Sequence, residues 1–312
     1  MSGRAAPDAP RQTRPGPHVA PAVARALGEG RPVVALESAL ITHGLPAPDN
    51  LRVAERLEAT VRAAGAEPAT VALIDGTARV GLEPAELARL AGAPDAAKVG
   101  PRDLAAALVA GRSGGTTVAA TAHLAHRAGL RVLCTGGIGG VHRGRAGDVS
   151  ADLPALASLP LIVVCAGAKI VLDLSRTLEV LETLGVPVVG YGTDTFPAFT
   201  VASSGLPLPA RLDSPDQVAR TARAQWALGL PQALLVCAPV PPAAGLPEDE
   251  AQRAVASAVA QADARGIRGS ALTPFLLAEL ARTSAGRSLA ANEALLVNNA
   301  GIAARIARAL SR

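Results

Sequence analysis

Short apolar runs alternate along the chain with longer segments in which apolar positions recur every three to four residues. PVVALE (32–37) precedes DNLRVAERLEATVRAAG (49–65), and PATVALIDGTARVGL (68–82) precedes PAELARLAG (84–92). LIVVCAGAK (161–169) leads into IVLDLSRTLEVLETLG, whose spacing predicts a helix beginning at Ile170, and RVLCTGG (131–137), PVVGY (187–191) and ALLVCAP (233–239) add further strands. Such alternation predicts an α/β fold, a sheet covered by helices. Asp75 and Gly76 separate two strand-like runs and predict a hairpin, so the central β-sheet is expected to be mixed rather than purely parallel. After ALLVCAP the pattern turns helical. PEDEAQRAVASAVAQADARG opens on a proline and acids and closes on glycine, as a helix does, and SLAANEALLVNNAGIAARIARALSR reads as a closing helix. The expectation is a single domain with a helical C-terminal third.

Composition narrows this picture. With 312 residues, 49% hydrophobic and 18% charged, the chain has apolar mass for a large core, which excludes a disordered or fibrous protein. No apolar run approaches the ~20 residues needed to cross a bilayer, so no membrane partner is expected. Residues 1–18, rich in Pro and Arg and lacking an apolar secretion segment, are expected to form a disordered extension, with the folded domain spanning 19–312. Cys134, Cys165 and Cys237 each lie within an apolar run and form no CxxC pair, which fits buried free thiols in a reducing cytoplasm. The net charge of +4 is modest and the arginines are not interleaved with aromatics, against nucleic acid as a partner.

Chemistry first shows in the cations. Of 30 basic residues only Lys98 and Lys169 are lysines. A chain that otherwise uses arginine keeps lysine where a compact ammonium or a deprotonatable amine is needed. Lys169 ends a strand and a small-residue turn, the place where α/β enzymes carry their sites. Partly desolvated there, it is either a Schiff-base amine or the partner of a carboxylate at a helix start. The run Cys134–Gly144 is dense in glycine, so its backbone N–H groups can approach an anion, with His142 and Arg143 beside it; a plain tight loop has the same composition. In DVSADL, Asp148 and Asp152 flank Ser150: one carboxylate suits a hard divalent cation, and Asp152 equally suits a helix cap. Glu37 closes an apolar strand and is either an exposed strand end or a general acid with a raised pKa.

Taken in order, VALESALITHGLPAPDN, PATVALIDGTARVGL, the Lys98 segment with PRDLAAAL, GGTTVAATAHLAHRAG, TGGIGGVHRG, DVSADL, VVCAGAK, VGYGTDTFPAF and LLVNNA resemble the pseudouridine-5′-phosphate glycosidase family from about Val33 to Ile306. The resemblance implies reversible cleavage of the C–C glycosidic bond of pseudouridine 5′-phosphate to uracil and ribose 5-phosphate. It implies Lys169 as nucleophile, Glu37 as proton donor and Asp148 as ligand of one Mn²⁺ per subunit. Lys98, Thr117, Val118, Ser150, Ala151 and Asp152 match positions around the sugar phosphate. Thr135, His142 and one of Asn298 or Asn299 are expected near the substrate, the asparagine reading the uracil edge. A cytoplasmic homotrimer is also implied. The chain departs from the family pattern at ALESALITHG, at Thr195, where an acid is commoner, and in a connection from HRG to Asp148 about two residues short. A Schiff-base aldolase acting on a sugar phosphate would use the same lysine chemistry; release of uracil separates the two.

Overall fold

In the computed structural model of the chain, residues 16–143, 147–269 and 272–312 are described. The first half builds β1 (His18–Val19), α1 (Pro21–Gly28), β2 (Val33–Leu36), α2 (Asp49–Ala63), β3 (Glu67–Ile74), β4 (Thr77–Val80), α3 (Pro84–Ala91), β5 (Ala97–Val99), α4 (Leu104–Val109), β6 (Gly114–Thr116), α5 (Val118–Arg127) and β7 (Val132–Cys134). Then come β8 (Val141–His142), α6 (Asp152–Leu156), β9 (Ile162–Cys165), β10 (Leu172–Asp173), α7 (Leu174–Thr183), β11 (Val188–Tyr191), β12 (Arg211–Leu212), α8 (Pro215–Ala227) and β13 (Leu234–Cys237). Three helices close the fold: α9 (Glu248–Ala264), α10 (Leu272–Thr283) and α11 (Arg287–Leu310). The helical C-terminal third is therefore present as expected.

The main sheet runs β1-β4-β3-β2-β7-β9-β13-β11-β12, with β6 against β3 and β5 against β6. From β3 through β2, β7, β9, β13, β11 and β12 the neighbours are parallel, whereas β3 is antiparallel to β4 and β6. The sheet is thus mixed. The hairpin expected at Asp75-Gly76 joins β3 to β4, with both residues at positive φ (46° and 72°), as a two-residue turn matching strand twist requires.

Strands β2, β9 and β13 are buried at every position because helices cover both faces of the sheet, which is why they read as unbroken apolar runs. Each fully buried Leu, Ile or Val in them contributes roughly 1.5–3 kcal/mol. Beneath the strand ends the three cysteines are buried and unpaired, Cys165 and Cys237 facing each other across β9 and β13 with Sγ atoms 3.9 Å apart. One core cluster runs from Ala20 to Ala307. Among the described residues no helix is long and apolar enough to cross a membrane.

Two expectations change at their edges. His18 opens β1, pairing with Arg79 of β4, while residues 1–15 of the expected extension lie outside the described residues. The helix expected from Ile170 starts instead at Leu174. Arg143 donates to the carbonyls of Ile170 (3.2 Å) and Leu172 (2.9 Å), and β10, which occupies the expected first turn, pairs antiparallel with β8. Asp173 then caps the helix, its carboxylate accepting the Arg176 N–H at 3.1 Å. Gly144, in the shortened connection before Asp148, lies with Arg145 and Ala146 outside the described residues.

Candidate active site

Three neighbouring parallel strands end side by side, and each delivers one group. Register pairs Leu36 with Cys134 and Cys134 with Val164, so Glu37 after β2 and Thr135 after β7 emerge together. The Thr135 hydroxyl donates to Glu37 Oε1 at 2.6 Å. Lys169 stands four residues beyond β9, on a turn sewn to the glycine loop: Gly136 O accepts from Ala166 N, Gly167 O from Ile138 N, and Ile138 O from Lys169 N. Gly167 has φ +77°, and a Cβ there would run into the Pro197 carbonyl, so only glycine lets the turn place Lys169 here.

Glu37, Lys98 and Lys169 line one cleft with two compartments. Burial pushes the Glu37 carboxyl above its ordinary range. The Lys169 charge and the Thr135 hydrogen bond oppose that rise, Asp152 adds to it, and Lys98 opposes it. Lys98 lies below the usual lysine value, first through burial and then through the Lys169 charge. A buried carboxyl with a raised pKa and two lysine side chains thus line one cleft, the setting for proton donation and for attack on a carbonyl-like carbon.

The polar compartment holds ≈ 360 Å³ and is walled by Thr117 and Val118 at the start of α5, and by His142, Asp148, Ser150, Ala151 and Asp152. Most of the residues matched to the sugar-phosphate side in sequence are brought together here. Asp152 braces the wall: its carboxylate accepts the Ala119 N–H at 2.9 Å and the Gly139 N–H at 2.7 Å, tying α5 to the glycine loop. It therefore serves a helix start, as the cap alternative expected, but that of α5 rather than its own. Asp152→Ala leaves two buried donors unpaired; a loss of about 2–4 kcal/mol of stability is expected, readable in urea or thermal melts.

The second compartment is narrower, ≈ 60 Å³, and is bordered by His43, Gly136, Gly137, Phe199, Asn292 and Leu296. Neither asparagine of the LLVNNA segment is on its wall. The Asn298 amide donates to Pro239 O at 3.4 Å, and fully buried Asn299 donates to Thr135 O at 3.0 Å, holding up the glycine loop from behind. Asn292 reaches the cleft instead. The spacing of Asn292, Leu296 and Asn299, at i, i+4 and i+7, puts all three on one face of α11, which is the sequence signal that would have found it. His43 is the other addition; it follows the strand bearing Glu37 in a π-helical turn, Leu40–Gly44.

A divalent cation has a modest seat. Asp148 is half-buried on the polar wall beside His142, and no group of three His, Cys, Asp or Glu side chains gathers among the described residues. One carboxylate suits a hard cation that keeps most of its waters.

Comparison with known proteins gives the chain's relatives. The family model for indigoidine synthase A like proteins matches residues 22–309. The chain is 57% identical over 294 residues to the pseudouridine-5′-phosphate glycosidase of Rhodospirillum centenum, covering 94% of this chain and 92% of the relative. It is 54% identical over 293 residues to that of Methylobacterium nodulans, covering 93% and 87%. Among solved structures it superposes on the prealnumycin C-glycosynthase AlnA in complex with ribulose 5-phosphate, with TM-score 0.88, 40% identity and 97% and 98% of the two chains covered. An indigoidine synthase A-like protein from Thermotoga maritima gives TM-score 0.86 at 36% identity, covering 91% and 94%.

Proposed function

The chain belongs to the indigoidine synthase A like protein family, and on that footing we propose that it makes and breaks the C–C glycosidic bond of pseudouridine 5′-phosphate, with uracil and ribose 5-phosphate as the other side of the reaction. The observation that carries this is the meeting of Glu37, Lys98 and Lys169 where a polar compartment joins a narrow one. Relatives named for this activity and a solved relative holding a pentose phosphate support it.

The chemistry follows from the groups in place. Cleaving a carbon–carbon bond needs an electron sink, and an amine supplies one as an imine. Glu37, whose pKa burial raises, gives its proton to the ring oxygen as the C1′–O4′ bond breaks. The Lys169 amine adds at C1′. Once C5 of the base takes a proton, the nitrogen lone pair forms the C1′=N bond and the C1′–C5 pair returns to uracil. Water then releases ribose 5-phosphate and the free amine. Lys98 supplies a charge beside the sugar phosphate, the amides of Val118 and Ala151 and the hydroxyls of Thr117 and Ser150 hold its oxygens, and Thr135 keeps Glu37 aimed. On the base side His43 and Asn292 are polar neighbours, while His142 stands on the polar wall with Asp148; Asn298 and Asn299 act through the loop they support. Mn²⁺ would be held by Asp148 and waters, adding positive charge to the polar compartment. The buried free thiols fit a cytoplasmic setting, and a homotrimer is the assembly carried over from the family resemblance.

The test is an assay of uracil with ribose 5-phosphate, with and without Mn²⁺, following the C-nucleotide by mass. Product in either direction is expected. No product in both directions, or turnover of aldol substrates alone, rejects the function.

A further inference from the structure

A further cavity of ≈ 450 Å³ adjoins the narrow compartment, and His43, Phe199 and Asn292 border both spaces. That volume is in the range of small-molecule sites and is more than a single six-membered ring fills. Its walls are Leu45, Pro46, Leu277, Ala281 and Leu289, apolar and drawn from the segment after β2, from α10 and from α11. A few polar groups interrupt them. Thr200 borders the space, and its buried hydroxyl has no hydrogen-bond partner among the described residues. At the entrance His43 Nδ1 lies 2.7 Å from Thr42 Oγ1, whose own hydroxyl points to Ser38 O at 3.5 Å. Burial, and then the Lys98 charge, lower the imidazole's pKa and favour its neutral form. An apolar chamber beside the compartment that holds the reacting groups, bordered by an imidazole and an amide, has the room and the lining for a flat ring system with polar edges.

We propose that this chamber receives the outer ring of an aglycone larger than uracil, so that the enzyme also joins ribose 5-phosphate to fused two-ring carbon nucleophiles of the vinylogous-acid class. The proposal rests on the glycosidase function above. Its net bond changes match those with uracil: the C–H proton of the nucleophilic carbon goes to a base, that carbon bonds to C1 of the sugar, the C4 hydroxyl closes on C1 with loss of its proton, and the sugar carbonyl oxygen leaves with two protons as water. No oxidant or reductant enters.

The probe is 4-hydroxyquinolin-2-one, whose C3 lies between two oxygen-bearing carbons and whose fused ring lies on the far side. Incubation with ribose 5-phosphate is expected to give an acid-stable C-linked adduct, alongside pseudouridine 5′-phosphate from a parallel uracil reaction. Ala278→Trp and, separately, Ala281→Phe narrow only the outer chamber. Each should leave the uracil rate within about twofold and cut the quinolone rate about 10- to 100-fold. Uracil product without quinolone adduct overturns the proposal, and so does an adduct formed equally well by both filled variants. Failure with uracil itself would instead bring down the glycosidase function and this extension together.

Discussion

Lys169→Arg leaves a folded protein with no turnover in either direction, a loss of at least about 10⁴-fold, and Lys169→Ala does the same. The arginine keeps the positive charge beside Glu37, which already feels the Lys169 ammonium. A guanidinium cannot condense with a carbonyl carbon at neutral pH, so charge without nucleophilicity is what the variant isolates. The checks are a rate assay in the synthetic direction and a thermal melt within a few degrees of the parent. An active Lys169→Arg enzyme would rule out covalent catalysis and leave Lys169 an ion-pairing residue.

Glu37→Gln lowers kcat by about 10²- to 10⁴-fold, the usual worth of a positioned proton donor. The amide still accepts from Thr135, whose hydroxyl is held at 2.6 Å, so the cost falls on proton transfer rather than on packing. pH gives the sharper readout. Because burial raises the folded-state pKa of Glu37, the donor form is present below that value and is lost as pH rises through it. The wild-type rate should therefore fall on an alkaline limb displaced upward from ordinary carboxylates, and Glu37→Gln should lack that limb. Retention of the limb in the variant would assign it to another group.

Much of this arrangement was legible in the chain because it is local. The runs VVAL, VLC and IVVC are apolar throughout since parallel strands are covered on both faces, and the polar or small residues that follow them mark where the sheet meets the cleft. The scarcity of lysine singled out Lys169 and Lys98, and the structure sets both on one cleft. What the sequence hid depends on partners far away. The start of α7 is delayed where Leu172 and Asp173 pair with β8, some 30 positions back, and Arg143, 27 positions before Ile170, holds the Ile170 carbonyl. Asp152 reads as a cap for its own helix until its carboxylate is seen on Ala119, 33 residues back. The Asn298-Asn299 doublet draws attention in sequence, yet Asn299 turns inward to the Thr135 carbonyl, 164 residues away, and Asn292 takes the exposed position on that face.

The two lysines sharing one cleft also make the protein an unusually clean target for amine chemistry. A reagent selective for primary amines finds, beyond an α-amine, only Lys98 and Lys169 among the chain's side chains. Borohydride reduction of a sugar adduct would therefore place its mass on one of two sites, and a lysine-specific protease would cut an unmodified chain only after residues 98 and 169. Loss of the second cut on reduction with ribose 5-phosphate would be a gel-scale record of which amine the substrate had reached.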